Sequence, residues 1–238
     1  MKNTVLHKAN TRGHADHGWL NAYHSFSFAS WHNPDRVQFG MLRVLNDDTV
    51  AAGMGFGTHP HDNMEIITIP LEGDLAHKDS MGNAATIKTG DVQVMSAGTG
   101  IQHSEFNPNH DQHTKLFQIW LFPKYRNVEP RYQQITLDAT KQKNDFAQIL
   151  SPNAEDEGVW IHQDAWFHLA DFDAGFSKTY TIKKEGNGMY IFVISGNITI
   201  NEQALETRDG LGITDFDTLE ITATTDAKFL LMEIPMEQ

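Results

Sequence analysis

Apolar residues stand on both parities through residues 64–71 (MEIITIPL), the pattern of a strand covered on both faces. Turn signals then recur at short intervals: Glu72-Gly73-Asp74, Ser80-Met81-Gly82-Asn83, and Thr89-Gly90-Asp91 ahead of residues 92–95 (VQVM). Short strands separated by turns at this spacing predict a β-sandwich or barrel, not a helical or βαβ fold. Upstream, Phe26-Ser27-Phe28 alternates as a strand does, and residues 41–45 predict another that ends in an Asn46-Asp47-Asp48 turn. Residues 117–122 return to strand. The break from Pro123 to Pro130 predicts a linker reaching about Asp138, followed by one short helix around residues 139–150.

The second half repeats the first in degraded form. Residues 190–201 (YIFVISGNITIN) align with residues 66–77 (IITIPLEGDLAH) as strand, glycine turn and strand. Arg208-Asp209-Gly210-Leu211 takes the place of Thr89-Gly90-Asp91-Val92. The pattern therefore predicts two similar all-β units divided near residue 137, namely 1–137 and 138–238.

Candidate chemistry is confined to the first unit. Gly55-Phe56-Gly57-Thr58-His59-Pro60-His61 and Gly98-Thr99-Gly100-Ile101-Gln102-His103-Ser104-Glu105 each place two metal-capable side chains two residues apart. Residues i and i+2 of a strand share a face, so His59 pairs with His61 and His103 with Glu105. If the two pieces are neighbouring strands, four ligands converge on one point. Three imidazoles and a carboxylate suit first-row divalent metals. Glu65 has the parity of His59 and His61, so spacing alone leaves Glu65 and Glu105 competing for the carboxylate role. The glycines Gly53, Gly55 and Gly57 do not form a dinucleotide loop, because a histidine pair and a strand follow them where a helix would be required. They fit a place where backbone comes close to the site. His77 and Asp79 form one further pair, expected to bond at a hairpin end; His14, His17, His24, His110 and His113 read as surface or hydrogen-bonded histidines. The polar loop of residues 107–113 is expected beside the barrel mouth.

Composition narrows the partners. Eighteen Lys plus Arg against thirty-one Asp plus Glu give a net charge of −13 over 238 residues. That balance argues against a phosphate-neutralising surface, so no nucleic-acid partner is expected. No cysteine is present, which rules out disulfides and thiolate ligands and agrees with a reducing compartment. The N-terminus lacks the apolar core of a signal peptide, and the apolar run of residues 189–194 is far too short to span a bilayer. A cytoplasmic protein without membrane contact is expected.

These residues together carry a resemblance. His59-Pro60-His61, Leu71-Glu72-Gly73-Asp74, His77-Lys78-Asp79-Ser80-Met81-Gly82-Asn83, residues 90–101 (GDVQVMSAGTGI) and His103-Ser104-Glu105 resemble the pirin family of the cupin superfamily. Met64-Glu65-Ile66 and Ser96-Ala97-Gly98-Thr99-Gly100 are similar to the bacterial pirin-like quercetinases. The likeness continues to Asp16-His17-Gly18-Trp19-Leu20 and residues 26–29 in one direction, and to Gln118-Ile119-Trp120 and Pro130-Arg131-Tyr132 in the other.

The resemblance implies a bicupin of two jelly-roll-like β-barrels with few short helices. Its first domain would bind one divalent transition metal through His59, His61, His103 and Glu105, with iron first among iron, copper, manganese, nickel, cobalt and zinc. It favours Glu105 over Glu65, because Ser96 stands near the usual cupin proline and His103-Ser104-Glu105 matches the family's ligand pair; Glu65 then orients a ligand or faces substrate. The second domain, whose His162 and His168 lack ligand spacing, would be structural. The implied activity is a quercetin 2,3-dioxygenase-like cleavage of a small flavonol with O2, releasing carbon monoxide, with Glu105 taking the substrate's proton. A metal-dependent binding or regulatory protein without turnover is the alternative, and an isomerase or hydrolase is the third reading, because one scaffold hosts many chemistries.

Overall fold

The computed structural model describes residues 3–237. Among them the chain forms strands and two short 3-10 helices, arranged in four sheets. One seven-stranded sheet contains strands Glu65–Glu72, Thr114–Leu121 and Leu42–Val50 at its centre. A four-stranded sheet of Gly55–His61, Ile101–Phe106, Asp74–Asp79 and Ala84–Lys88 faces it. The second half repeats the plan: a seven-stranded sheet centred on Asn187–Ser195 and Ala227–Pro235, and a four-stranded sheet that includes Thr218–Ala223 and Ile198–Ile200.

Side-chain alternation explains the layering. On Glu65–Glu72, Ile67 and Ile69 join a core shared by the two halves, where they meet Phe117, Val94, Leu150, Phe167 and Leu230. Ile66 and Thr68 point the other way, into the first barrel. The two seven-stranded sheets thus pack face to face through one continuous apolar core, and both faces of their central strands are covered. Corresponding turns confirm the internal repeat: Gly73 and Gly196 both close their hairpins with positive φ, 72° and 77°.

The chain's first strand does not stay with its neighbours in sequence. Asn3–His7 pairs antiparallel with Gly210–Thr214 at the edge of the second half's sheet. His7 Nδ1 lies 2.9 Å from the Tyr190 hydroxyl, and the Asp209 carboxylate accepts from the Ala9 amide at 2.8 Å.

Three local expectations are corrected. The Asn46-Asp47-Asp48 turn is instead the middle of strand Leu42–Val50, because Asp47 is held by Arg12 and Arg208 at 3.0 and 3.1 Å on one face while its neighbours are buried on the other. Tertiary partners override the turn propensity of the three residues. The linker contains strand Arg131–Thr136, which pairs with Asp91–Ser96. The helix around residues 139–150 is a single 3-10 turn, Ala139–Gln142, capped by Asp138 accepting from the Thr140 amide at 3.0 Å. Strand Ala147–Ser151 follows it, with Ile149 and Leu150 both buried in the shared core.

Candidate metal centre

Strands Gly55–His61 and Ile101–Phe106 are antiparallel neighbours, and His103 lies directly across from His59. A register shift between His103 and Glu105 puts Glu105 across from Phe56. Backbones meet closely there: a Cβ at Gly55 would come within 2.2 Å of the Glu105 carbonyl oxygen. Gly55 therefore permits the approach that brings the two histidine segments together.

The three imidazoles form one cluster. Ring centroids are 4.9 Å apart for His59 and His61, 4.4 Å for His59 and His103, and 4.9 Å for His61 and His103. One nitrogen from each lies within 4.8 Å of the others. His59 Nδ1 is 2.8 Å from the Gly57 carbonyl oxygen, which only accepts, so Nδ1 donates there and Nε2 is the nitrogen left for a ligand. Burial pushes the His61 imidazole down to about 4 and that of His103 to about 2, aided by the neighbouring rings. Neutral rings are what a metal requires. His61 Nε2 and both His103 nitrogens are buried with no hydrogen-bond partner, which is costly in any structure that gives them nothing to bind.

Glu105 is fully enclosed beside this cluster. Its carboxylate oxygens accept from Gln118 Nε2 at 3.2 and 3.1 Å, and Thr68 Oγ1 approaches at 3.4 Å. Burial raises its pKa, against the opposing pull of His77 and Gln118. In this arrangement Glu105 groups with His77 and His103, so His103 belongs to both trios. His77 is buried, its Nε2 3.4 Å from Asp79, while Asp79 chiefly holds the turn by accepting from the Met81 and Asn83 amides at 2.9 and 3.0 Å. The expected hairpin-end role thus falls to Asp79, and His77 faces the site.

Glu65 is elsewhere. It shares the parity of Ile67, which enters the core between the halves, and it accepts from Ser96 Oγ at 2.7 Å. Burial lifts its pKa to about 7, with the Arg131 charge opposing. Parity within a strand did not place Glu65 with His59, because the two belong to different sheets.

The imidazoles open on a cavity of about 460 Å³, a size suited to a small organic molecule. Trp19, Leu20, Phe28, Phe56 and Trp120 supply its apolar walls, and Asn46, Asp48 and Gln118 its polar points. Trp120 stands edge-on to His61 at 4.9 Å and its indole N–H donates to Gln118 Oε1 at 3.3 Å. Of these lining residues the family resemblance had marked Trp19, Leu20, Phe28, Gln118 and Trp120, and the alternation of strand Thr114–Leu121 sets Gln118 and Trp120 on one face. The loop of residues 107–113 is not among the lining residues. Asn107 instead ties it down by donating to the Val50 and Gln112 carbonyls at 3.0 and 2.8 Å. His24, read as a hydrogen-bonded histidine, does line the cavity and pairs with Asn46 at 2.8 Å.

Residues 5–121 match the family described as Pirin, and residues 148–234 match the Quercetinase C-terminal cupin domain. The chain is 45% identical over 234 residues to "Quercetin 2,3-dioxygenase" of Escherichia coli (strain K12), covering 97% of this chain and 98% of that one. The chain belongs to the pirin family. Two solved structures show what its fold is similar to. Bacterial pirin YhhW from Escherichia coli, in complex with nickel(II), matches with a TM-score of 0.93 at 42% identity, covering 98% of this chain and 99% of that one. Quercetin 2,3-dioxygenase from Acinetobacter baumannii matches with a TM-score of 0.76 at 25% identity, covering 99% and 87%. This pirin is accordingly an all-β bicupin, and no helix among its described residues is long and apolar enough to cross a membrane.

Proposed function

We propose that this pirin is a metal-dependent dioxygenase that cleaves flavonols such as quercetin with O2 and releases carbon monoxide. The observation that carries the reading is the cluster of three imidazoles, with His61 Nε2 and both His103 nitrogens buried and unpartnered, opening on a largely apolar cavity of about 460 Å³. His59, His61, His103 and Glu105 would hold one divalent transition ion, iron first, and the nickel(II) in a relative of 42% identity supports a divalent metal. Such an ion, when bound, supplies Lewis-acid stabilisation of the flavonol 3-oxygen as an anion. The division into a metal-holding domain of residues 1–137 and a structural domain of residues 138–238 is part of the proposal, with Asn3–His7 lying on the second domain's sheet.

The chain's own groups do the rest. The Gly57 carbonyl fixes the His59 ring, so its free nitrogen is aimed before any ligand arrives. Glu105, which lines the cavity and is held in place by Gln118 Nε2, is the carboxylate that takes the 3-hydroxyl proton. Trp19, Phe56 and Trp120 flank the flat aromatic rings and keep bulk water out.

The test is oxygen uptake and carbon monoxide release by the metal-loaded protein with quercetin, beside a flavone lacking the 3-hydroxyl. Rapid uptake with the first and little with the second is expected. Quercetin binding without oxygen uptake in every metal-loaded form would overturn the dioxygenase and leave a metal-dependent binding protein.

A further inference from the structure

Strand Leu42–Val50 carries two consecutive aspartates with opposite fates. Asp47 faces the core between the halves and is neutralised by Arg12 and Arg208. Asp48 faces the cavity, retains 5% of its exposure, and its Oδ1 is buried with no hydrogen-bond partner. The other polar groups of that wall are committed: His24 to Asn46, and Gln118 to both Glu105 and Trp120. Directly across from Asp48 stand two apolar residues, Ala22 on one neighbouring strand and Leu116 on the other, and neither offers it a side-chain partner. A carboxyl group left unpaired in such a place destabilises the protein unless something that visits the cavity satisfies it.

We propose that Asp48 is a specificity-determining residue of this cavity, forming a hydrogen bond with a ring hydroxyl of a polyhydroxylated aromatic substrate. The inference deepens the flavonol reading and rests on it, since the 3-hydroxyl is engaged at the metal and a second hydroxyl remains for Asp48. Burial and the nearby Asp47 and Glu105 charges push the Asp48 carboxyl well above the usual carboxylate range, toward the neutral acid. A neutral carboxyl both donates and accepts, which suits a phenolic hydroxyl. A site built for a hydroxyl also discriminates against an analogue lacking it, because the polar group is then left unpaired.

The experiment measures binding without turnover. Metal-loaded protein under anaerobic conditions is titrated with quercetin and with 3-hydroxyflavone, which lacks the other ring hydroxyls, by quenching of tryptophan fluorescence. Wild type should prefer quercetin, and Asp48→Leu should cut that preference about tenfold by weakening quercetin alone. Asp48→Asn, which keeps the hydrogen-bonding capacity, should retain most of it. Melting temperatures of both variants should equal or exceed the wild type's, since Asp48→Leu removes the unpaired polar group and Asp48→Asn replaces a desolvated ionisable group with a neutral one. An unchanged preference in Asp48→Leu, equal weakening of both ligands, or a lowered melting temperature in both variants overturns the role of Asp48 and leaves the flavonol reading standing. Failure of both flavonols to bind wild type overturns the Asp48 proposal and the flavonol reading together.

Discussion

The two barrels share a plan but differ in what fills them. In the second, Phe172, Met189, Ile191, Leu219, Ile221 and Phe229 interdigitate as one apolar core. In the first, the same interior is split into two small clusters, one around Leu75 and Leu116 and one around Ile66 and Met95, with histidines, Glu105 and the cavity between them. A barrel can be hollowed for chemistry when its twin, bound to it through a continuous core, supplies stability that the hollow one lacks.

If that division of labour holds, the largest effects separate the barrels cleanly. His61→Ala or His103→Ala should lower metal affinity by more than about 1000-fold, roughly 4 kcal/mol, by elemental analysis and competition with a chelator. The fold should survive, as read by circular dichroism. Full metal occupancy in His61→Ala would sink the assignment. Phe229→Ala, in the filled barrel, should cost about 3–5 kcal/mol in urea unfolding while metal content per folded chain is unchanged. Trp120→Ala, on the cavity wall, should cost less than half as much, because that side chain already borders empty space. Equal costs would mean that the barrels do not divide stability and chemistry between them.

Glu65 tests the seam between the halves. Its folded pKa, about 7, lies above its ordinary value of 4.5. The folded state therefore holds a proton that the unfolded chain gives up, so the favourable contribution is complete below 4.5 and is lost as pH rises to 7. The difference in unfolding free energy between wild type and Glu65→Gln should swing by about 3 kcal/mol between pH 4 and pH 8, in favour of the variant at high pH. A pH-independent difference would place Glu65 in a polar, hydrated setting. For the apoprotein, His61 and His103 work in the opposite sense. Their depressed folded values mean that the stability they contribute is present above the unfolded value of 6.5 and is lost as pH falls below it. His103→Gln should flatten that acid limb.

The smallest effect distinguishes the two glutamates. Glu105→Gln should weaken metal binding about tenfold, near 1.4 kcal/mol, whereas Glu65→Gln should leave it unchanged. The reverse ranking would mean that the metal takes its carboxylate from the strand that follows the histidine pair.

Much of this was local and therefore legible. Strand parity alone put His59 with His61, and a strand after a glycine turn needs only the neighbouring residues to declare itself. The internal repeat was visible because turn glycines must sit at matching points of both barrels, as Gly73 and Gly196 do. Other features were decided by partners far away in sequence. Asn46, Asp47 and Asp48 read as a turn until Arg12 and Arg208 draw Asp47 to one face and the cavity takes its neighbours on the other. Arg131–Thr136 read as linker until its pairing with Asp91–Ser96, and Asn3–His7 gave no sign of crossing to Gly210–Thr214. Glu65 had the right parity and the wrong sheet. Alternation fixes which residues share a face, since it follows from the backbone of one strand. Which sheet that strand joins, and whether its face meets a cavity or a core, depends on contacts between distant strands, and only the folded chain makes those.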